Sequence, residues 1–264
     1  MARLLAHRSL LILKGEQSLP LLQGIITKDV RALDEIPSAS SFILDTNGRI
    51  VDEILLRRRN EEILIECSTQ RRPQLKTILE KYRLRKKVGI ELSDESVLWS
   101  REEINGENGE KDPRLNSIGW RIYRNANGEM NTDDEYREMR YELGVGEGEE
   151  LCGLLPWNCN GDLLHHISIN KGCYIGQELT ARTATQGMLR RRIVPFTTNT
   201  TVSGDVKSAD GKKAGKIICS SSKRGLALIP LSSIDKELSV NGESIVPYLP
   251  SWMKNMNDLT KVYI

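Results

Sequence analysis

The sequence predicts an α+β protein in which a region of hairpins crossed by helices is followed by a small C-terminal β-barrel or sandwich. Three observations carry that prediction. Asn47 and Gly48 stand between the apolar runs 40–44 and 50–56, and an Asn-Gly pair is the strongest local hairpin signal because both positions tolerate positive φ. Residues 71–82 place Leu75, Ile78, Leu79 and Tyr82 at helical spacing. Beyond Arg192 the texture changes to short apolar runs punctuated by Gly204, Asp210 with Gly211, and Gly225.

In chain order, residues 10–14 read as the first strand. Ser18 and Pro20 then sit where an N-cap and an early helical residue belong, with Leu19, Leu22, Ile25 and Ile26 on one face. The 40–56 hairpin leads to a strand at 63–67 and the helix at 71–82. Residues 106–113, polar and rich in Gly and Asn, are expected to form a mobile connection. Asn127 with Gly128 and Asn241 with Gly242 repeat the hairpin signal. Residues 133–143 can form a helix, and the GVGEGEE stretch after it reads as a loop. Strands at 193–198, 213–220 and 226–229 complete the C-terminal part, and no internal repeat or low-complexity tract appears.

At 264 residues the chain is long enough for two or three subdomains. With 28% charged and 39% hydrophobic residues it is neither a disordered nor a fibrous chain. Lys and Arg number 38 against 36 Asp and Glu, so bulk charge attracts neither nucleic acid nor a membrane surface, and a polyanion must meet a local patch. The strongest patch is Arg71, Arg72, Lys76, Lys81, Arg83, Arg85, Lys86 and Lys87 against the single acid Glu80. Such a run is ordinarily a solvated helix face; its other readings are docking of an acidic partner or of a folate glutamate tail. Nucleic acid ranks last, since Tyr82 is the one interleaved aromatic. Apolar runs at 10–13 and 226–230 fall far short of the roughly 20 residues of a spanning helix, so no membrane partner is expected. Five scattered cysteines, Cys67, Cys152, Cys159, Cys173 and Cys219, point to a reducing compartment. Arg3, Arg8 and Lys14 faintly resemble a targeting peptide; because a strand already begins at Leu10 the plainer reading is no such peptide, and if the protein enters an organelle the sequence is expected to be its processed form.

The segment richest in chemistry is Asn170, Lys171, Gly172, Cys173, Tyr174, Ile175, Gly176, Gln177, Glu178. Two glycines bracket the cysteine, and their backbone freedom suits a tight turn that presents a side chain. Residues 177–183 have helical character, with Glu178 and Arg182 at ion-pair spacing. A helix N-terminus and Lys171 near the sulfur would favour thiolate. From residue type alone Cys173 is a nucleophile, a soft-metal ligand or a small buried cysteine. A Cys-His hydrolase finds no triad spacing in His165 and His166, and Cys152, Cys159, His165, His166 and Cys173 match no compact zinc pattern. The two histidines read better as packing or capping residues.

KGCYIGQE followed by LTART closely resembles the signature of the YgfZ-type proteins, relatives of the glycine-cleavage T-protein, and especially of their mitochondrial iron-sulfur cluster assembly members. FILDTNGRIVDEIL, KYRLRKKV, DPRLNSIGWR, YELGVGEG, LLPWNCNGD and GMLRRRIVPF extend the resemblance over essentially the whole chain. It implies a T-protein-like ring of three subdomains, two of folate-binding α+β type within 1–189 and a C-terminal β-barrel at 190–264. It further implies a non-enzymatic role, as a monomer until a partner joins, in late assembly of four-iron, four-sulfur clusters in the mitochondrial matrix with A-type carrier proteins. Cys173 holds the family's cysteine position. A cluster needs several thiolates and this chain presents one, so a transient iron-sulfur cluster shared with the partner is the natural expectation. Lys171, Gly172, Tyr174, Gly176, Gln177 and Glu178 would shape the loop, and Arg182, Arg190, Arg191 and Arg192 would dock the carrier or lie on a salt-bridged solvated face. Asn158 and Asn160 fall at the folate-like pocket. Where the family commonly has Leu-Pro-Leu-Glu, this chain has Leu155, Pro156, Trp157, Asn158, and an amide supplies no carboxylate for a pterin. The alternative, a tetrahydrofolate-dependent aminomethyl transferase, is weakened accordingly.

Overall fold

The structure, a computed structural model, describes residues 1–264 except Asn131, Thr132, Asn257 and Ile264. Strands β1 (Arg3–Leu4) and β2 (Arg8–Lys14) precede helix α1 (Ser18–Gln23) and the antiparallel run β3 (Ser38–Leu44), β4 (Ile50–Arg59) and β5 (Glu62–Ser68). Then follow α2 (Arg72–Arg83), β6 (Gly89–Leu92), β7 (Ser96–Ser100), β8 (Gly109–Lys111), β9 (Trp120–Arg124), α3 (Asp133–Leu143) and α4 (Gln177–Gln186). The C-terminal part comprises β10 (Arg191–Thr197), β11 (Asp205–Ser208), β12 (Lys213–Ser220), β13 (Arg224–Pro230), β14 (Leu238–Val240), β15 (Glu243–Pro247) and α5 (Ser251–Lys254).

The α+β expectation holds. β3-β4-β5-β2-β6 form one sheet, β1-β7-β9-β8 a second, and β10-β13-β12-β11-β14-β15 close into a barrel. One face of the first sheet carries Leu11, Leu13, Ile54 and Leu56 against Leu21 and Leu22 of α1 and Leu75 and Leu79 of α2. Each fully buried leucine there contributes about 1.5–3 kcal/mol by leaving water. Phe42, Leu44 and Ile50 point the other way and pack with Tyr141, Ile193, Leu226 and Leu228, which seats the barrel on the first sheet. Val194, Phe196, Ala227, Ile229 and Val240 fill the barrel.

Local signals were translated unevenly. Asn241 and Gly242 both have positive φ, 52° and 90°, and join Val240 to Glu243 as a two-residue turn. At 45–49 only Gly48 does (75°), and the turn is organised by Asp45, whose Oδ1 accepts from the amides of Asn47 and Arg49. Asn127 and Gly128 make no hairpin; they lead from β9 towards α3. Ser18 is the first helical residue rather than the cap, and its buried hydroxyl has no partner among the described residues. Residues 106–113 are not simply a mobile connection: β8 lies within them and Asp112 is buried. The GVGEGEE stretch likewise contains a 3-10 turn, Gly148–Leu151, and the buried Glu147.

Those two acids belong to a charge network between the sheets. Arg114 is fully buried and bonds Asp112, Glu53 Oε1 at 3.1 Å and Glu147 Oε2 at 2.8 Å. Arg121 adds Glu147 and the Tyr136 hydroxyl, and Arg8 Nε reaches Glu66 at 2.7 Å.

Candidate functional site

The NKGCYIGQE segment crosses between α1, the β3–β4 turn and α4. Gly172 and Gly176 take φ of 88° and 75°, the left-handed region their lack of a side chain was expected to serve. Between them Cys173 is exposed. The other four thiols are withdrawn: Cys67 and Cys159 are buried, Cys152 and Cys219 half-buried. Burial pushes the thiol of Cys67 up to about 12 and that of Cys152 to about 11, and raises Cys159 and Cys219 as well. Among the described residues no three His, Cys, Asp or Glu side chains are grouped to hold a metal ion. Cys173 is thus the one exposed thiol among the described residues.

Six contacts fix its turn. Lys171 points inward rather than toward the sulfur: it is 4% exposed, and its Nζ donates to the carbonyls of Gln23 (2.6 Å), the last residue of α1, and Ile26 (2.7 Å) beyond it. The ammonium also sits 4.7 Å from the centre of the Tyr174 ring. Burial pulls its pKa down to about 8, with the nearby Asp29 carboxylate opposing. Gln23 returns the bond by donating Nε2 to the Lys171 carbonyl at 2.6 Å. Gln177 accepts from the Tyr174 amide at 2.9 Å, closing the turn from its far side. Gly176, the residue before α4, lies against the β3–β4 turn so closely that a Cβ there would meet the Asp45 carbonyl at 2.1 Å.

Other expected site residues divide. Glu178, Arg182, Arg190 and Arg191 are exposed, and the expected Glu178–Arg182 ion pair does not form among the described residues. Arg192 is corrected: it is 0% exposed, holds Asp162 through two bonds of 2.8 Å and donates to the carbonyls of Leu259 and Lys261. A guanidinium so enclosed has nothing left for a docking partner. Asn158 is half-buried. Asn160 is buried in a left-handed conformation, its amide donating to the Ile193 carbonyl at 2.9 Å, so it ties the 156–159 turn to the barrel rather than facing a ligand. Trp157 donates to the Thr180 carbonyl and anchors α4 from beneath. His166 packs, as expected, stacked 4.2 Å from Phe42, whereas His165 is exposed with φ of 62°. Gln23 and Asp45 escaped the sequence reading. An Asp two and four residues before the amides it binds was a detectable turn signal, but nothing local tied Gln23 to a loop 148 residues away.

Comparison with known proteins gives this geometry relatives. Residues 190–255 match the family described as the CAF17 C-terminal beta-barrel domain. The chain is 26% identical to the mitochondrial iron-sulfur cluster assembly factor IBA57 of Mus musculus and 28% identical to that of Homo sapiens, each over 93% of this chain and 83% of the relative. An IBA57 homolog of Mycosarcoma maydis is 31% identical over 72% of this chain and 55% of its own length. In fold, the glycine cleavage system aminomethyltransferase T of Bartonella henselae superposes with a TM-score of 0.75 at 13% identity, covering 100% of this chain and 87% of that one. Over most of its length, therefore, the chain is similar to the IBA57 iron-sulfur cluster assembly factors, and its fold is T-protein-like and ends in a barrel similar to the CAF17 C-terminal domain.

Proposed function

We propose that this chain is an iron-sulfur cluster assembly factor of the mitochondrial matrix, which shares a transient cluster with an A-type carrier protein through Cys173 during maturation of four-iron, four-sulfur proteins. The observation that carries the proposal is the distribution of thiols: one exposed on a pinned turn and four withdrawn. A cluster is held by several thiolates, so the remaining ligands come from the partner, and the cluster is cargo rather than a resident cofactor. Arg182, Arg190 and Arg191, exposed on and after α4, offer a cationic approach for an acidic carrier surface. The names of the relatives agree with this class of role. A tetrahydrofolate-dependent transfer, which the fold alone would permit, is disfavoured by the amide of Asn158 and by the engagement of Asn160 with the barrel.

The test is anaerobic mixing with an A-type carrier, iron and sulfide. Wild type should yield a coloured heterocomplex whose absorption and iron content disappear with Cys173→Ala. If wild type and variant give the same colourless mixture, Cys173 is not a shared ligand. Tight tetrahydrofolate binding by the same sample would then favour the transferase.

A further inference from the structure

The turn that closes α2 is unlike the rest of the surface. Leu84, the residue after the helix, is 78% exposed and has φ of 50° and ψ of −117°, a backbone conformation that a bulky side chain adopts only under strain. Lys81, Arg85 and Lys87 around it are exposed, and Arg83 and Lys86 half-buried. None of these five cations forms an ion pair among the described residues; the one pair on α2 is Lys76 with Glu80, a turn away. Arg83 donates only to the Val88 carbonyl, and Lys81 lies 5.3 Å from the centre of the Tyr82 ring.

The turn is also held rigidly. The Lys87 amide donates to Gln17 Oε1 at 2.6 Å, and Gly15, at φ of 109°, passes so near that a Cβ would meet the Lys87 carbonyl at 2.7 Å. The fold thus holds a large apolar side chain outward, flanked in sequence by five cations that form no ion pair among the described residues.

We propose that residues 83–87 form a docking surface for an anionic lipid bilayer, with Leu84 entering the headgroup layer and Lys81, Arg85, Lys86 and Lys87 meeting lipid phosphates. The shape selects this occupant over an acidic protein. An isolated protruding apolar group amid cations is met by any anionic bilayer, whose soft apolar layer lies beneath a layer of anions, whereas an acidic protein must also supply a pocket shaped for that one side chain. A net charge of +2 gives the whole molecule no such attraction, but five cations within seven residues do so locally. Short helix α1 runs between this turn, bonded through Gln17, and the Cys173 loop, bonded through Gln23. The inference is independent of what Cys173 binds.

The experiment is co-sedimentation of the full chain with vesicles of phosphatidylcholine alone and of phosphatidylcholine mixed with phosphatidylglycerol, at low and high salt. Wild type should bind the mixed vesicles, release them in salt and ignore the neutral ones. Arg85→Glu with Lys86→Glu should weaken binding by at least about fivefold for each cation lost. Leu84→Gly, which suits the backbone conformation and so preserves the fold, should weaken it about tenfold. Absence of salt-sensitive binding to the mixed vesicles, or full binding by Leu84→Gly, overturns the proposal. So does retention of soluble polyglutamate by a chain that ignores vesicles, which assigns the turn to an acidic protein.

Discussion

Lys171 is four carbons of stem and a charge, and its neighbourhood makes it a peg. Its ammonium satisfies the carbonyl of Gln23, the last residue of α1, where a cation sits well, and that of Ile26 just beyond the helix. Lys171→Met would keep the volume and strand both carbonyls. We expect a loss of about 1–3 kcal/mol in denaturant unfolding and a weaker cluster transfer although Cys173 is intact; an unchanged midpoint would mean that water serves the carbonyls equally well. Cys173→Ala, by contrast, removes an exposed atom and should shift stability by less than about 0.5 kcal/mol, measured the same way. Asp52 gives the pH dependence. It is 2% exposed, burial raises its pKa to about 7 against the pull of Arg8, and one of its oxygens has no partner. A carboxyl raised in the fold is protonated there while the unfolded chain is ionised, so its stabilisation is full below about pH 4 and is lost as pH rises through 7. Asp52→Asn should therefore match wild type in acid and exceed it at pH 8 by on the order of 1–4 kcal/mol; an equal margin at both pH values would exclude Asp52 as the source. Of this scale the sequence disclosed Cys173 and its glycines, whose chemistry is local, but not the inward turn of Lys171, whose partners lie about 148 positions away.

Between residues and the whole, the β3–β4 turn and the start of α4 act as one element. Gly48 and Gly176 face each other there: a Cβ on Gly48 would meet the Gly176 carbonyl at 3.0 Å, and one on Gly176 the Asp45 carbonyl at 2.1 Å. Gly172, on the other side of the cysteine, has nothing within 4 Å. Gly172→Ala should then cost only its backbone strain, about 1 kcal/mol, while Gly176→Ala must also displace Asp45 and should cost at least about twice as much. Thermal unfolding separates the two, and the Gly176 variant should also lose cluster transfer. Equal costs would mean that the hairpin does not support the loop. Asn47 and Gly48 correctly announced that hairpin, yet its contact with α4 depends on a carbonyl, and backbone groups carry no signature in side-chain pattern.

At the scale of the molecule, a buried charge network joins the first two sheets alongside the apolar cluster of Leu10, Val97 and Trp99. Desolvation pushes Glu147 and Glu53 upward, but Arg8 and Arg114 beside them prevail, holding Glu147 well below the usual carboxylate range and Glu53 at about 2. The barrel was legible from its short strands, closely spaced in sequence. The network was not, because Glu53, Asp112, Arg114 and Glu147 are ordinary surface letters until three separate segments converge. Arg114→Met would leave three buried carboxylates without their shared partner, at a cost of about 3–5 kcal/mol. Carboxylates depressed in the fold stabilise it above their unfolded values and lose that contribution as pH falls through the folded ones. In the variant those folded values rise, so the deficit against wild type should be widest at neutral pH and narrow between about pH 7 and pH 3 as the stranded acids take up protons. Urea titrations across that range measure it. A deficit that stays constant would show that Arg114 acts through packing and that the carboxylates already find neutralisation elsewhere in the network.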